Sequence, residues 1–448
     1  MSSQPPDQSR VHRFTLPNGL RGVVVPIPHL HSVELAVYFQ VGSRNDPPDR
    51  AGLSHLLEHI LFRGCDRYPT TLSLETAFEE IGGSVNAATD EESTCYFSRV
   101  HPERIERGVE LLSAMIRYPL FTQLETEKRI VVEEALEDLN ERGEDINPHT
   151  IASRIFWGGT GLGRPTTGTV ESIERVTLED LRRHADRFYH PGNAVIVATG
   201  RVDPAAFQRG VERYLGGWES LSSEPDLPSP HPPPFRGPAV EVVRDSDSQV
   251  HLLVSFLSIP RHDRRLPQLK LLRRILAGGG SSRLHLRLRE ELGVIYSVDA
   301  TLSAYRETGS FGIELFTAAE HLPLVLSTIS HELLRLVCDP FPPDELERVK
   351  RNMGYELDFS VDSAYEMQTR YGWGELMGID AGLESERREV DRITSGMVVA
   401  LAREIFVPEG VAVVLVGPVS EGMEETVREI IATRFLRGGE AKGDLPTG

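Results

Sequence analysis

The residues best suited to chemistry are two histidines and a glutamate in the run His55-Leu56-Leu57-Glu58-His59. The apolar residues around them predict a helix from about Leu53 to Phe62. Positions four apart on a helix differ by about 40° of rotation and one turn of rise. His55 and His59 then project from one face at a separation that a single cation bridges. Glu58 stands beside them, where its carboxylate addresses a water on that cation. The order reverses the more familiar H-E-x-x-H zinc helix. Zinc in a catalytic site takes three protein ligands and leaves a fourth position open. The candidate third ligand is Glu134, from the segment 127–134, EKRIVVEE. That segment reads as a second amphipathic helix, with Ile130, Val131 and Ala135 on its apolar side. Glu127 and Glu134 are two turns apart and share a face, so Glu127 can hold the other nitrogen of a ligand histidine. Glu133 stands beside Glu134 as a second carboxylate at almost the same place.

These side chains need a scaffold, and the sequence shows one written twice. In residues 224–238, EPDLPSPHPPPFRGP, seven of fifteen residues are proline. Such a stretch is a stiff extended spacer that joins neither a helix nor a central strand. It sets a linker at 223–239 between an N-terminal zinc-binding domain, 12–222, and a homologous C-terminal domain, 240–440. Thr177 and Thr394, Pro191 and Pro408, and Gly200 and Gly417 are each 217 residues apart. Both stretches read as a helix, a proline turn and a buried apolar strand closed by glycine. A second match, at an offset of 215, pairs SHLLEHILFRG at 54–64 with LKLLRRILAGG at 269–279. The second copy keeps the apolar frame Leu271, Leu272, Ile275 and Leu276. It puts Lys270, Arg273 and Arg274 where the first has His55, Glu58 and His59. A purely structural helix has little reason to carry its metal-competent residues in one copy only. Strands are expected at Arg21–Pro26, Val33–Val41, Ser84–Ala88, Ser93–Val100, Val240–Val243 and Val250–Leu257, with helices between. Strands and helices without strict alternation predict an α+β fold, two α/β-layer domains whose sheets are mostly antiparallel.

Composition narrows the function classes. The 448 residues carry 48 Lys+Arg against 67 Asp+Glu, a formal charge of −19, which argues against a nucleic-acid binder. No apolar run approaches the about 18 residues of a membrane span. The polar first residues, Met1 to Arg13, contain no apolar segment of a secretory signal. Cys65, Cys95 and Cys338 are odd in number and far apart, as reduced thiols of a cytoplasmic protein would be. All three have apolar neighbours and read as core. Gly278–Gly280 followed by Ser281 and Ser282 lacks the Gly-Lys-Ser/Thr ending of a phosphate loop.

The chain resembles the pitrilysin/insulinase metallopeptidase family in its two-domain form. The resemblance rests on Phe14–Leu20 (FTLPNGL), Val41–Arg44 (VGSR), Gly52–His59, Gly82–Ala87 (GGSVNA), Glu127–Glu134 and Pro191–Asn193. It implies that His55, His59 and Glu134 bind Zn2+, with the family register favouring Glu134 over Glu133. It further implies that Glu58 is the general base and Glu127 the additional acidic residue. The strand after Gly83 then lines the zinc cleft, with Asn86 and Ala87 at the motif positions. Such a strand takes up an extended peptide by β-augmentation if it is an edge. A turn role for Asn86 is the alternative. Arg289 and Tyr296 resemble the Arg–Tyr pair that the family contributes from the half opposite the zinc. There they would bind the substrate carbonyl and stabilise its oxyanion, unless Arg289 simply pairs with a nearby glutamate. The activity implied is a zinc metalloendopeptidase, hydrolysing peptides or unfolded polypeptides in a chamber formed by a homodimer, with Arg289 and Tyr296 acting in trans. The alternative is a catalytic or non-catalytic subunit of a heterodimer that needs a distinct partner chain.

Overall fold

The computed structural model describes residues 11–219, 234–338 and 342–436. Among them are two sheets, each with helices packed against it. The first has six strands: β1 (His12–Thr15), β2 (Arg21–Pro26), β3 (Val33–Phe39), β4 (Val85–Thr89), β5 (Thr94–Val100) and β6 (Ala194–Gly200). Their spatial order is β1-β2-β6-β3-β5-β4. The second has β7 (Ala239–Arg244), β8 (Val250–Ser258), β9 (Ile295–Ala304), β10 (Gly309–Thr317) and β11 (Val411–Gly417), in the order β7-β11-β8-β10-β9. With β1 set aside, the two orders are one topology. In each sheet a single parallel pair, β2 with β6 and β7 with β11, sits among antiparallel neighbours. The fold is α+β and duplicated. The strands 217 residues apart, β6 and β11, occupy equivalent central places, and every residue of both is buried.

The repeated helices also correspond. Helix α1 (Leu53–Leu61) buries Leu53, Leu56, Leu57, Ile60 and Leu61 at 2% exposure or less. That stripe, at i, i+3, i+4, i+7 and i+8, leaves the histidines on the flank. Each such side chain contributes about 1.5–3 kcal/mol of burial, which fixes the rotation of α1 about its axis. The second-unit helix Leu266–Ala277 buries Leu271, Leu272, Ile275 and Leu276 in the same way.

The chain does not fold as two consecutive blocks. The first compact unit takes its described residues from 11–137, 160–219 and 355–387, and the second takes the rest. Helix Pro148–Trp157, from the first half, lays Ile151 and Ala152 on Val243, Leu253, Val414 and Val416 of the second sheet. Helix Ala364–Met377, from the second half, lays Met367 and Tyr371 on Val23, Ala36, Val195 and Val197 of the first. Residues 223–233 of the expected linker lie outside the described residues, and Ala239 already opens β7. Two expectations are corrected. Cys338 is exposed near the end of a helix, unlike Cys65 and Cys95. Ile130 is 38% exposed, because the apolar stripe of its helix runs through Leu124, Val131 and Ala135.

Candidate metal centre

Helix α1 begins under tight local control. Gly52 precedes it at φ +86°, and a Cβ there would lie 2.5 Å from the Thr167 carbonyl oxygen. Only glycine satisfies both conditions. The buried carboxylate of Asp46 accepts from the backbone N–H groups of Gly52 (2.9 Å) and Ser54 (3.0 Å), and from the Ser54 hydroxyl (2.6 Å). These bonds satisfy orphan N–H groups at the helix N-terminus, and they partly offset the burial that pushes Asp46 up to about 7. His184 Nε2 lies 2.9 Å from Ser54 Oγ and completes the network. Asp46, Ser54 and His184 carry no motif in the sequence; Asp46 holds the first backbone N–H groups of α1, and His184 meets it through the Ser54 hydroxyl.

One turn into the helix, His55 and His59 stand with ring centroids 4.7 Å apart. Helix Leu124–Glu137 crosses nearby and brings Glu134 between them. Its Oε2 is 3.6 Å from His55 Nε2, and its Oε1 is 3.7 Å from His59 Nε2. One ligand atom from each of the three lies within 4.8 Å of the others. Glu133, its neighbour, is exposed and outside the group. Glu127 is 2% exposed and accepts from His59 Nδ1 at 3.1 Å. That bond leaves Nε2 of His59 as the nitrogen directed at Glu134. Arg63, one turn after His59, forms an ion pair with the same Glu127 carboxylate. Its i+4 spacing from His59 was the available signal for Arg63.

Burial, reinforced by the charge of His59, pushes His55 down to about 4, so its imidazole is neutral and able to ligate near pH 7. Burial also pulls His59 down, but the Glu127 hydrogen bond and the surrounding carboxylates outweigh it and raise it overall. Burial raises Glu58 above the usual carboxylate range, partly countered by a hydrogen bond from Thr89. Two imidazole nitrogens and a carboxylate oxygen, with a carboxylate fixing the far nitrogen of one imidazole, are a donor set that fits zinc.

The other expected residues are placed as follows. β4 is the outermost strand beyond β5. Ala87 pairs with Tyr96 and packs on the core under α1. Asn86 pairs with Phe97 and so points to the opposite face, where its amide donates to Ser84 Oγ at 3.4 Å. The Asn86 side chain is therefore not part of the His55–His59–Glu134 group. Arg289 and Tyr296 come together in the second unit, the Arg289 guanidinium 5.4 Å from the Tyr296 ring centre. Arg289 lies in a π-helical turn, His285–Glu291, with its Nη1 3.1 Å from His285 Nε2 and 3.7 Å from Glu290 Oε1. Tyr296 is 81% exposed on β9, the outermost strand of its sheet.

Comparisons with known proteins bear on this arrangement. Residues 23–170 match the model described as Insulinase (Peptidase family M16), and 175–353 match the one described as Peptidase M16 inactive domain. The uncharacterized zinc protease YmxG of Bacillus subtilis is 31% identical over 411 residues, covering 91% of this chain and 98% of its own. An uncharacterized zinc protease of Streptomyces coelicolor is 27% identical over 433 residues, covering 94% and 93%. Among solved structures, a protease from Helicobacter pylori superposes with a TM-score of 0.83 at 19% identity, over 93% of this chain and all of that one. A peptidase M16 inactive domain from Pseudomonas fluorescens gives 0.81 at 20% identity, over 92% and 98%. The structural likenesses speak for the fold alone. Matched along nearly its whole length by a relative named as a zinc protease, and by two models of the family over 23–170 and 175–353, the chain belongs to the insulinase family, peptidase family M16.

Proposed function

We propose that the protein is a zinc-dependent metalloendopeptidase that cleaves peptides or unfolded polypeptides. The observation that carries this reading is the convergence of His55, His59 and Glu134, with the buried carboxylate of Glu58 beside them. Zinc held by these three would supply a Lewis acid for the scissile carbonyl and make a water easier to deprotonate. Glu58 takes the proton of the attacking water and returns it to the leaving amine. Its burial raises its proton affinity and suits it to the first step. Glu127 holds His59 in one tautomer and orientation, and Arg63 pairs with the Glu127 carboxylate from the other side. Among the described residues β4 is the outermost strand, and its outer edge would offer backbone donors and acceptors to an extended peptide, with Asn86 and Ala87 contributing through their main chain. Arg289 and Tyr296 bind the scissile carbonyl from the second unit of another copy, in a chamber formed by a homodimer.

Metal analysis and peptide hydrolysis by the purified chain test the reading. We expect one zinc per chain, hydrolysis abolished by a chelator, and recovery on adding zinc back. Glu58→Gln keeps the zinc and loses turnover, whereas His55→Ala and Glu134→Ala lose both. A Glu58→Gln protein that turns over like the wild type rejects the assigned base. Hydrolysis that starts only when a distinct partner chain is added replaces the homodimer with the subunit reading.

A further inference from the structure

We propose that Thr89 is the positioning residue that aims the general base, tying Glu58 to the edge strand on which the peptide lies. This rests on the hydrolytic reading of the site and names a residue that the reading did not include. Glu58 is 8% exposed, and a carboxylate so far from water needs donors to hold its charge and orientation. Among the described residues, the Thr89 hydroxyl is the donor to that carboxylate, bonding Oε2. The other oxygen, Oε1, accepts no protein hydrogen bond there and is left for the water.

The direction of the Thr89 proton follows from its neighbours. Thr89 is the last residue of β4 and pairs with Thr94 across the ladder, their hydroxyl oxygens 3.5 Å apart. Thr94 is fully buried and donates its own proton to the Val41 carbonyl at 2.9 Å. It therefore gives nothing to Thr89. The Thr89 hydroxyl has one proton and a choice between a distant hydroxyl and a close carboxylate, and the charged acceptor takes it. The bond comes from β4, the outermost strand of its sheet among the described residues, and Thr89 shares the face of Ala87, toward α1. A displacement of the base by about 1 Å costs on the order of 10²-fold in rate, so this single bond is large enough to matter for turnover.

The test compares Thr89→Val, which keeps the branched shape and removes the donor, with Thr89→Ser, which keeps the donor. Thr89→Val should lose about 10–100-fold in kcat, with KM, zinc content and Tm close to wild type, and Thr89→Ser should recover most of the loss. Crystal structures of the two metal-free variants give a readout independent of activity. Glu58 should leave its place in Thr89→Val and keep it in Thr89→Ser. An undisplaced Glu58 in Thr89→Val overturns the proposal, as does an equal loss of kcat in both variants. If wild-type protein neither binds zinc nor cleaves peptide, the hydrolytic reading falls and Thr89 loses its catalytic purpose. The crystal structures still decide whether Thr89 positions Glu58.

Discussion

Glu127 is the most deeply buried carboxylate near the metal group, and its two partners decide what it does. A buried, unpaired carboxylate carries a desolvation penalty of several kcal/mol. The Arg63 guanidinium offsets this, and the His59 Nδ1 proton turns the charge toward the site. Glu127→Gln should therefore weaken zinc binding by about 10–100-fold, measured by competition with a chromophoric chelator. Zinc affinity at the wild-type level would leave Glu127 as a counter-ion for Arg63 and nothing more. The sequence made His55, His59 and Glu58 legible because one helix fixes their spacing, whatever surrounds it. Glu134 needed the register of a second helix, which the family resemblance supplied, and in the fold it is Glu134 and not the exposed Glu133 that turns toward the histidines. Thr89, Asp46 and His184 were not legible as partners of α1. Their contacts span 31, 8 and 130 residues of sequence and depend on sheet register and loop path.

Helix Pro148–Trp157 is held to the second sheet by more than Ile151 and Ala152. Glu314 on β10 accepts from His149 Nε2 at 3.0 Å and from His251 Nε2 at 2.6 Å, joining helix and sheet through one carboxylate. The His149 bond, then the His251 bond, hold Glu314 well below the usual carboxylate range against the opposing effect of burial. In the unfolded chain this group takes up its proton near pH 4.3, while in the folded chain it does so only in stronger acid. Between those points the unfolded state binds more protons, so stability falls as pH falls below about 4.3. Glu314→Gln should flatten that part of the acid-unfolding curve and speed hydrogen exchange in residues 148–157. An acid limb identical to the wild type would assign the loss to other carboxylates. The elements themselves were largely legible. Arg21–Pro26, Ala194–Gly200 and Val411–Gly417 fall where the apolar runs and bounding turns put them. Strand Ile295–Ala304 carries its own signal, with Val298, Ala300 and Leu302 alternating with polar residues and packing on the second core.

At the scale of the molecule, the duplication places the two groups of singled-out residues in different units. The first unit carries the candidate metal ligands. The second carries basic residues at the equivalent helical positions, together with the Arg289–Tyr296 pair. If two copies share their sites, a Glu58→Gln chain mixed with an Arg289→Ala chain should recover part of the wild-type peptide hydrolysis once subunits exchange. No recovery after exchange, shown by mixed-label mass measurement, places both contributions within one chain. The reciprocal loan of helices between the halves was invisible to periodicity, which reports that a helix has an apolar face but not whose sheet receives it. Its consequence concerns the order of synthesis. Val23, Ala36 and Val195 wait for Met367 and Tyr371, so the first sheet stays uncovered on that side until the last fifth of the chain is being translated. A gene fragment ending before that helix would encode every candidate zinc ligand and still yield an incomplete, adhesive sheet.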